Sequence, residues 1–264
     1  MIKIRTYQVD AFTDKLFSGN PAAVCILDTW LNDDLMQSIA FENNLAETAF
    51  VVPSGKGFEI RWFTPTVEVD LCGHATLTSA FVLFNLLDYP DSKIQFHSHR
   101  SGLLTVEKKD DLLLLDFPTD TLKLINEEQN TIENCIGIQP IECYKGKTDY
   151  IAVIDSESAL KNLQPNFEEI IKLNARGLVV TAKGDNVDFV SRFFAPQSGI
   201  YEDPVTGSAH TSLLPLWSKK LNKNNLVAHQ ISQRGGQLFC EFKNDRCIIG
   251  GKAKLFLTGE INLD

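Results

Sequence analysis

The sequence predicts an α+β protein of two similar halves, each a mostly antiparallel barrel of strands around one central helix. An internal repeat is the first reason. "RSGLLTVEKKDD" (100–111) aligns without gaps to "RGGQLFCEFKND" (234–245), and Arg100, Gly102, Leu104, Glu107, Lys109 and Asp111 match Arg234, Gly236, Leu238, Glu241, Lys243 and Asp245 at an offset of 134 (234 − 100). Gly73 and Ala75 match Gly207 and Ala209 at that same offset of 134, and "RWFTP" (61–65) echoes "RFFAP" (192–196) at 131 (192 − 61). The second reason is "GHATLTSAFVLFNLL", apolar on nearly all sides, which marks a helix buried inside its domain; "GSAHTSLLPLWSKKL" holds the corresponding place in the second half. The third is that the remaining segments read as short strands cut by turn residues. Three blocks repeated in one order mean a duplicated domain of about 130 residues, not a short-period solenoid.

The elements follow in order. "MIKIRTYQVDAF" alternates apolar and polar residues as a first strand does, without the apolar core of a secretory signal. "AAVCILD" reads as a strand and "LNDDLMQSIAFENN" as an amphipathic helix with an acidic first turn. "TAFVVP" and "FEIRWFTP" are strands that meet a loop, followed by the buried helix and the strands "IQFHSH", "GLLTVEKK" and "LLLLDFP". "DFPTDTLKL" is the expected crossover, giving domains at 1–118 and 119–264 with the extreme C-terminus free to pack on the first. The second half repeats the programme through "YIAVID", "FEEIIKLN", "GLVVTAKG", "DFVSRFFAP", the second helix and "GGQLFCEF". Pro215 is expected to kink that helix, since it removes a backbone donor.

Composition narrows the function. A chain of 264 residues with 44% hydrophobic and 22% charged residues is ordinary for a soluble globular protein. A net charge of −9 argues against a nucleic-acid surface, which needs a basic patch. No apolar run reaches the roughly 18 residues of a membrane span. The six cysteines form no C-x-x-C pair, which reads as buried free thiols in a cytoplasmic protein.

The chemistry concentrates in "VDLCGHAT" (69–76) and "YEDPVTGSAH" (201–210), both at the start of a predicted buried helix. Unpaired N–H groups and the positive dipole end make such a start an anion site. Gly73 and Gly207 allow close backbone approach. Facing each other across a domain cleft, the two turns would suit a small carboxylate-bearing substrate. The other reading is that Asp70, Asp203 and Ser208 simply cap helices. Glu47, between an amphipathic helix and an apolar strand, is a candidate general acid–base, because an apolar cleft pushes a carboxyl pKa towards neutrality; the alternative is a solvated loop glutamate. His74 could polarise a substrate or help bind a carboxylate, and His210 maps less well. His97 and His99 alternate on one strand, but no carboxylate or cysteine pattern completes a metal site there. "FSGNPAAV" (17–24) lacks the ending of a phosphate loop, and no dinucleotide fingerprint is present.

"FTDKLFSGNPAAV", "NLAETAFV", "RWFTPTVEVDLCGHAT" and "EDPVTGSAH" together resemble the PhzF family, the phenazine-biosynthesis isomerase and its relatives, over essentially the whole chain. The resemblance implies the diaminopimelate-epimerase-like fold, with the active site between two similar domains, and often a homodimer. It implies isomerisation of a substrate such as trans-2,3-dihydro-3-hydroxyanthranilate, without metal or cofactor. Glu47 matches the family's proton-shuttling glutamate, His74 and Asp203 its substrate-orienting groups, and Gly73, Gly207 and Ser208 its carboxylate-binding turns. One departure is Ala46, where the family often has serine, which puts the phenazine substrate itself in question. Relatives that racemise use two opposed cysteines; here Cys72 has Thr206 at its matching position (72 + 134), which disfavours a thiol racemase. An epimerase using Glu47 and Asp203 as its bases, or a binding protein without catalysis, are the alternatives.

Overall fold

Strands β1 (Ile2–Ala11), β2 (Asn20–Ile26), β3 (Glu47–Ser54), β4 (Gly57–Phe63), β5 (Glu68–Val69), β6 (Lys93–Ser98), β7 (Gly102–Lys109) and β8 (Leu112–Pro118) alternate with helices α1 (Asp33–Asn43) and α2 (Gly73–Leu86) in the first part of the chain. The structure is a computed structural model and describes residues 2–263. After these come β9 (Lys123–Ile125), α3 (Gln129–Ile136), β10 (Glu142–Lys145), β11 (Asp149–Val153), α4 (Glu157–Asn162), α5 (Phe167–Ile170), β12 (Gly177–Lys183) and β13 (Phe189–Ala195). The chain ends with β14 (Ile200–Asp203), α6 (His210–Leu221), β15 (Asn225–Gln230), β16 (Gly236–Lys243), β17 (Arg246–Gly251) and β18 (Ala253–Leu263).

Contacts divide the chain into two units. The first holds the described residues up to Asp116 and those from Gly250 onward; the second runs from Phe117 to Ile249. The last strand thus belongs to the first unit, whereas the sequence boundary placed 119–264 in the second half and left only the extreme C-terminus free to return. The cause is strand pairing: β18 runs antiparallel to β1 from Ile2↔Leu263 to Ala11↔Ala253, with one bulge between Gln8 and Val9.

The duplication is legible in the ladders. In the first unit β2 pairs parallel with β3, β3 antiparallel with β4, β4 parallel with β6 and β6 antiparallel with β7. The second unit repeats the set as β11 with β12, β12 with β13, β13 with β15 and β15 with β16. Two pairs of left-handed residues recur at the same offset: Asp110 and Asn244 (φ 54° and 57°) in the hairpin turns, Asp88 and Asn222 (both 51°) after the buried helices. Asn and Asp enter this backbone region at the least cost among non-glycine residues.

Strands β2, β3, β12 and β13 are buried on both faces along most of their length, which is why they read as continuous apolar runs. In β3, Phe50 and Val52 pack outward against Met36, Ile39 and Ala40 of α1. Side chains alternate along a strand, so Glu47, Ala49 and Val51 share the opposite face, toward α2, which packs on β1, β2, β3 and β7. Helix α1 starts on Asn32, whose side chain accepts from the Leu35 N–H at 2.8 Å. Asn32→Ala should cost about 1 kcal/mol in chemical denaturation, the usual worth of such a cap.

Helix α2 is enclosed. Its polar residues Thr76, Thr78 and Ser79 are buried and donate back to carbonyls of Cys72 and Ala75 in the preceding turn, so burial leaves these hydroxyls satisfied. Helix α6 begins at His210, and residues 207–209 form a tighter turn ahead of it, with His210 N–H to Gly207 O at 3.0 Å and Thr211 N–H to Ser208 O at 3.1 Å. The helix runs without interruption through Pro215. Pro215 leaves the Thr211 carbonyl without its helical donor, and that oxygen accepts from the Asp120 N–H (3.2 Å) and the Cys247 thiol (3.6 Å). Trp217 stacks on Phe189 of β13 at 5.7 Å and donates to Thr181 of β12. All six cysteines are free and buried. Among the described residues, no helix is long and apolar enough to cross a membrane.

Candidate active site

Glu47 opens β3 and His74 is the second residue of α2, so a strand start and a helix start meet on the inner face of the first unit. His74 Nε2 lies 3.1 Å from Glu47 Oε2, with side-chain exposures of 8% and 13%. Cys72, the residue before α2, puts Sγ 3.5 Å from His74 Nδ1 and 4.0 Å from Nε2. Asn20 reaches the same ring, its amide nitrogen 3.4 Å from Nδ1. Gly19 makes that approach possible: it has φ +71°, and a Cβ there would fall 2.1 Å from the Ala11 carbonyl oxygen. The segment "FSGNPAAV" thus delivers Asn20 beside His74.

Charges in this cluster follow from burial and proximity. Burial raises the Cys72 thiol pKa, and the nearby Glu47 carboxylate raises it further, so sulfur stays protonated at neutral pH. For His74 burial acts downward while Cys72 and Glu47 act upward, and the imidazole ends well above 6.5. A neutral thiol gives little ionic support, so Glu47 is the partner that holds the charge. The charged ring faces the Glu47 carboxylate on one side, at 3.1 Å, and the thiol on the other.

The second unit's residues sit in a different network. Thr206 donates its hydroxyl to Asp203 Oδ2, and Gln230 donates to the Asp203 carbonyl oxygen (2.8 Å) while accepting from the Thr206 N–H (2.9 Å). Ser208 Oγ accepts from Arg176 Nη1 at 3.0 Å, and Arg176 also donates from Nε to Asp149 at 2.9 Å. Asp70 is held by Arg100 at 3.2 Å. Neither α2 nor α6 has a side-chain cap, so the capping reading of Asp70, Asp203 and Ser208 does not hold. The structure brings Glu47, Gly73 and His74 together in the first unit, and Asp203, Gly207 and Ser208 in the second.

Sequence reasoning missed the scaffold behind both turns. Arg61 of β4 grips Glu68 of β5 with two bonds of 2.7 and 2.9 Å. Arg192 of β13 grips Glu202 of β14 with bonds of the same two lengths, 2.7 and 2.9 Å. Each arginine also lies over the phenylalanine two residues on, at 5.1 Å from Phe63 and 4.9 Å from Phe194. The signal was present: Arg-x-Phe recurs in the echoed blocks, and Glu68 and Glu202 stand 134 apart (202 − 68). Glu202→Gln should cost about 2 kcal/mol in urea unfolding, because it breaks a charge-assisted fork in a largely enclosed place. His97 and His99 face outward, lining a cavity of about 350 Å³ with Trp30, Asp33, Glu59 and Arg61.

The model of the PhzC-PhzF family, described as phenazine biosynthesis-like protein, matches residues 9–259. An uncharacterized isomerase of Pseudomonas aeruginosa is 48% identical over 262 residues, covering 99% of this chain and 100% of the relative. The human phenazine biosynthesis-like domain-containing protein is 39% identical over 288 residues, with 98% and 99% covered. A PhzF-family crystal structure from Enterococcus faecalis superposes with a TM-score of 0.96 at 48% identity, covering 99% of this chain and 100% of that one. A hydroxyproline epimerase from Agrobacterium vitis shares the fold at a TM-score of 0.61 and 12% identity, with 99% and 93% covered. With the family model spanning most of the chain and relatives matched from end to end, this protein belongs to the PhzC-PhzF family of phenazine biosynthesis-like proteins.

Proposed function

We propose that the protein is a cofactor-independent isomerase that moves a proton between two carbons of a small carboxylate-bearing, cyclic or unsaturated metabolite, of the trans-2,3-dihydro-3-hydroxyanthranilate type. One observation carries the reading: a carboxylate and an imidazole, both largely buried, lie 3.1 Å apart where a strand start meets a helix start. Glu47 takes the proton from carbon, the electron pair moves into the conjugated system, and Glu47 returns the proton to another carbon. His74, 3.1 Å away, orients it. In this reading Gly73, Gly207 and Ser208 bind the substrate carboxylate, while Asp203 orients its polar substituents.

The test is proton NMR in deuterated buffer with trans-2,3-dihydro-3-hydroxyanthranilate and a set of cyclic unsaturated carboxylates. Deuterium at carbon together with a shifted double bond supports the isomerase. Inversion at one centre without a shift assigns the epimerase instead, with Asp203 as the second base. Absence of exchange with every compound overturns the catalytic reading. Ser208→Ala should raise KM about tenfold with kcat little changed, the worth of one charge-assisted hydrogen bond made equally to substrate and transition state. The reading includes a homodimer: Phe17, Phe256 and Leu257 form an exposed apolar patch on the first unit, and sedimentation should give about twice the chain mass of 29.5 kDa.

A further inference from the structure

We propose that Glu47, Cys72 and His74 form a three-donor site for a zinc-class divalent ion, whose binding and the proton shuttle exclude each other. The exclusion rests on the proposed function; the metal site does not. Among the described residues these three form the one group of potential ligands whose donor atoms all lie within 4.8 Å of one another. Zinc–sulfur and zinc–nitrogen bonds of about 2.3 and 2.0 Å, at tetrahedral angles, set neighbouring donors about 3.5 Å apart. His74 Nε2 stands 3.1 Å from Glu47 Oε2 and 4.0 Å from Cys72 Sγ, so it brackets that spacing from both sides. Small rotations of the side-chain tips would close the set.

The donor chemistry is specific. One sulfur, one imidazole nitrogen and one carboxylate oxygen suit zinc and its neighbours, whereas magnesium and calcium prefer oxygen alone. The supports are also those of a ligand set. Each residue sits at the start of a regular element, and the Cys72 carbonyl is held by the Thr76 hydroxyl at 2.6 Å. Glu47 keeps 13% side-chain exposure, so the cluster is not sealed from solvent on that side. On binding, the thiol proton and the Nε2 proton of the imidazolium both leave to solvent, and the freed sulfur and Nε2 lone pairs go to the metal. The group that pairs with Glu47 is then no longer available to it.

Cobalt(II) serves as the probe, because a thiolate ligand gives a near-ultraviolet charge-transfer band and a tetrahedral site gives intense visible bands. Titration of the metal-free protein should show both, saturating at one ion per chain, and zinc should displace them. Cys72→Ala should abolish the near-ultraviolet band and weaken binding about tenfold or more. Absence of the band in the unaltered protein, or its persistence in Cys72→Ala, overturns the site. The unaltered protein decides the matter even should the variant fold poorly. In the deuterium assay, one equivalent of zinc should stop exchange and a chelator should restore it. Undiminished exchange in the zinc-loaded protein overturns the exclusion, while absence of exchange in the metal-free protein counts against the proposed function and leaves the cobalt result standing.

Discussion

Glu47→Gln lowers the rate of solvent-deuterium incorporation into substrate by about 10²–10⁴-fold, the usual worth of a positioned general acid–base. Glutamine keeps the volume and the hydrogen-bonding reach of the side chain, so β3 and the packing around α2 remain. What is lost is the site that accepts a proton, and no neighbour replaces it. The Cys72 thiol is held protonated by burial and by Glu47, and His74 is already charged beside it. The loss therefore falls on kcat, with KM changed little, because the lost interaction is made only as the proton moves. Near-ultraviolet circular dichroism checks that the fold is intact. Exchange rates in the variant equal to those of the unaltered protein would remove Glu47 from the chemistry.

The second large effect is on stability under acid. His210 is fully buried, donates from Nδ1 to the Thr206 carbonyl oxygen at 2.8 Å, and has no partner at Nε2. A second proton on that ring would have nowhere to go. Burial accordingly drives its pKa from 6.5 down to about 4, and the Thr206 bond offsets only part of this. Between those values the unfolded chain binds a proton that the folded chain does not, so stability rises with pH across the window. Acidification from pH 7 to 4 should cost about 3 kcal/mol through this residue. His210→Asn keeps a donor near Thr206 and removes the titration, so its urea-unfolding free energy should fall less across that range. A slope equal to that of the unaltered protein would sink the assignment. His74 works in the opposite sense: its raised value adds stability below 6.5 that is lost as pH climbs through its folded value.

Much of this fold was legible because duplication leaves two readings of one design. The constant offset located the two buried helices, the hairpins and both turns. Period-two burial then explains why Glu47 faces α2 and not α1. The returning strand β18 was less legible, because its partner β1 lies about 250 residues away and no local pattern encodes such a pairing. Helix α6 starts at His210 and not at Gly207, a boundary set by the tighter turn, which residue types alone do not fix. In the candidate site, Glu47 and His74 were found through motifs. Asn20 was passed over and Cys72 was weighed only as half of a thiol pair, because the meaning of each depends on what folds against it. Arg176 and Gln230 belong to the same class: one long side chain reaching a turn from a distant strand or loop.

The paired arginine–glutamate forks have an evolutionary consequence. Because each half braces its own loop with the same geometry, the residues that follow each fork can vary while the brace holds. Between the copies Cys72 became Thr206, or the reverse, and His74 became Ser208, while Arg61 and Arg192 kept their grip. Divergence of this kind separates inheritance of shape from inheritance of chemistry. Such a chassis lets a family spread over many substrates by rewriting a few letters at one helix start, without having to reinvent how the chain folds.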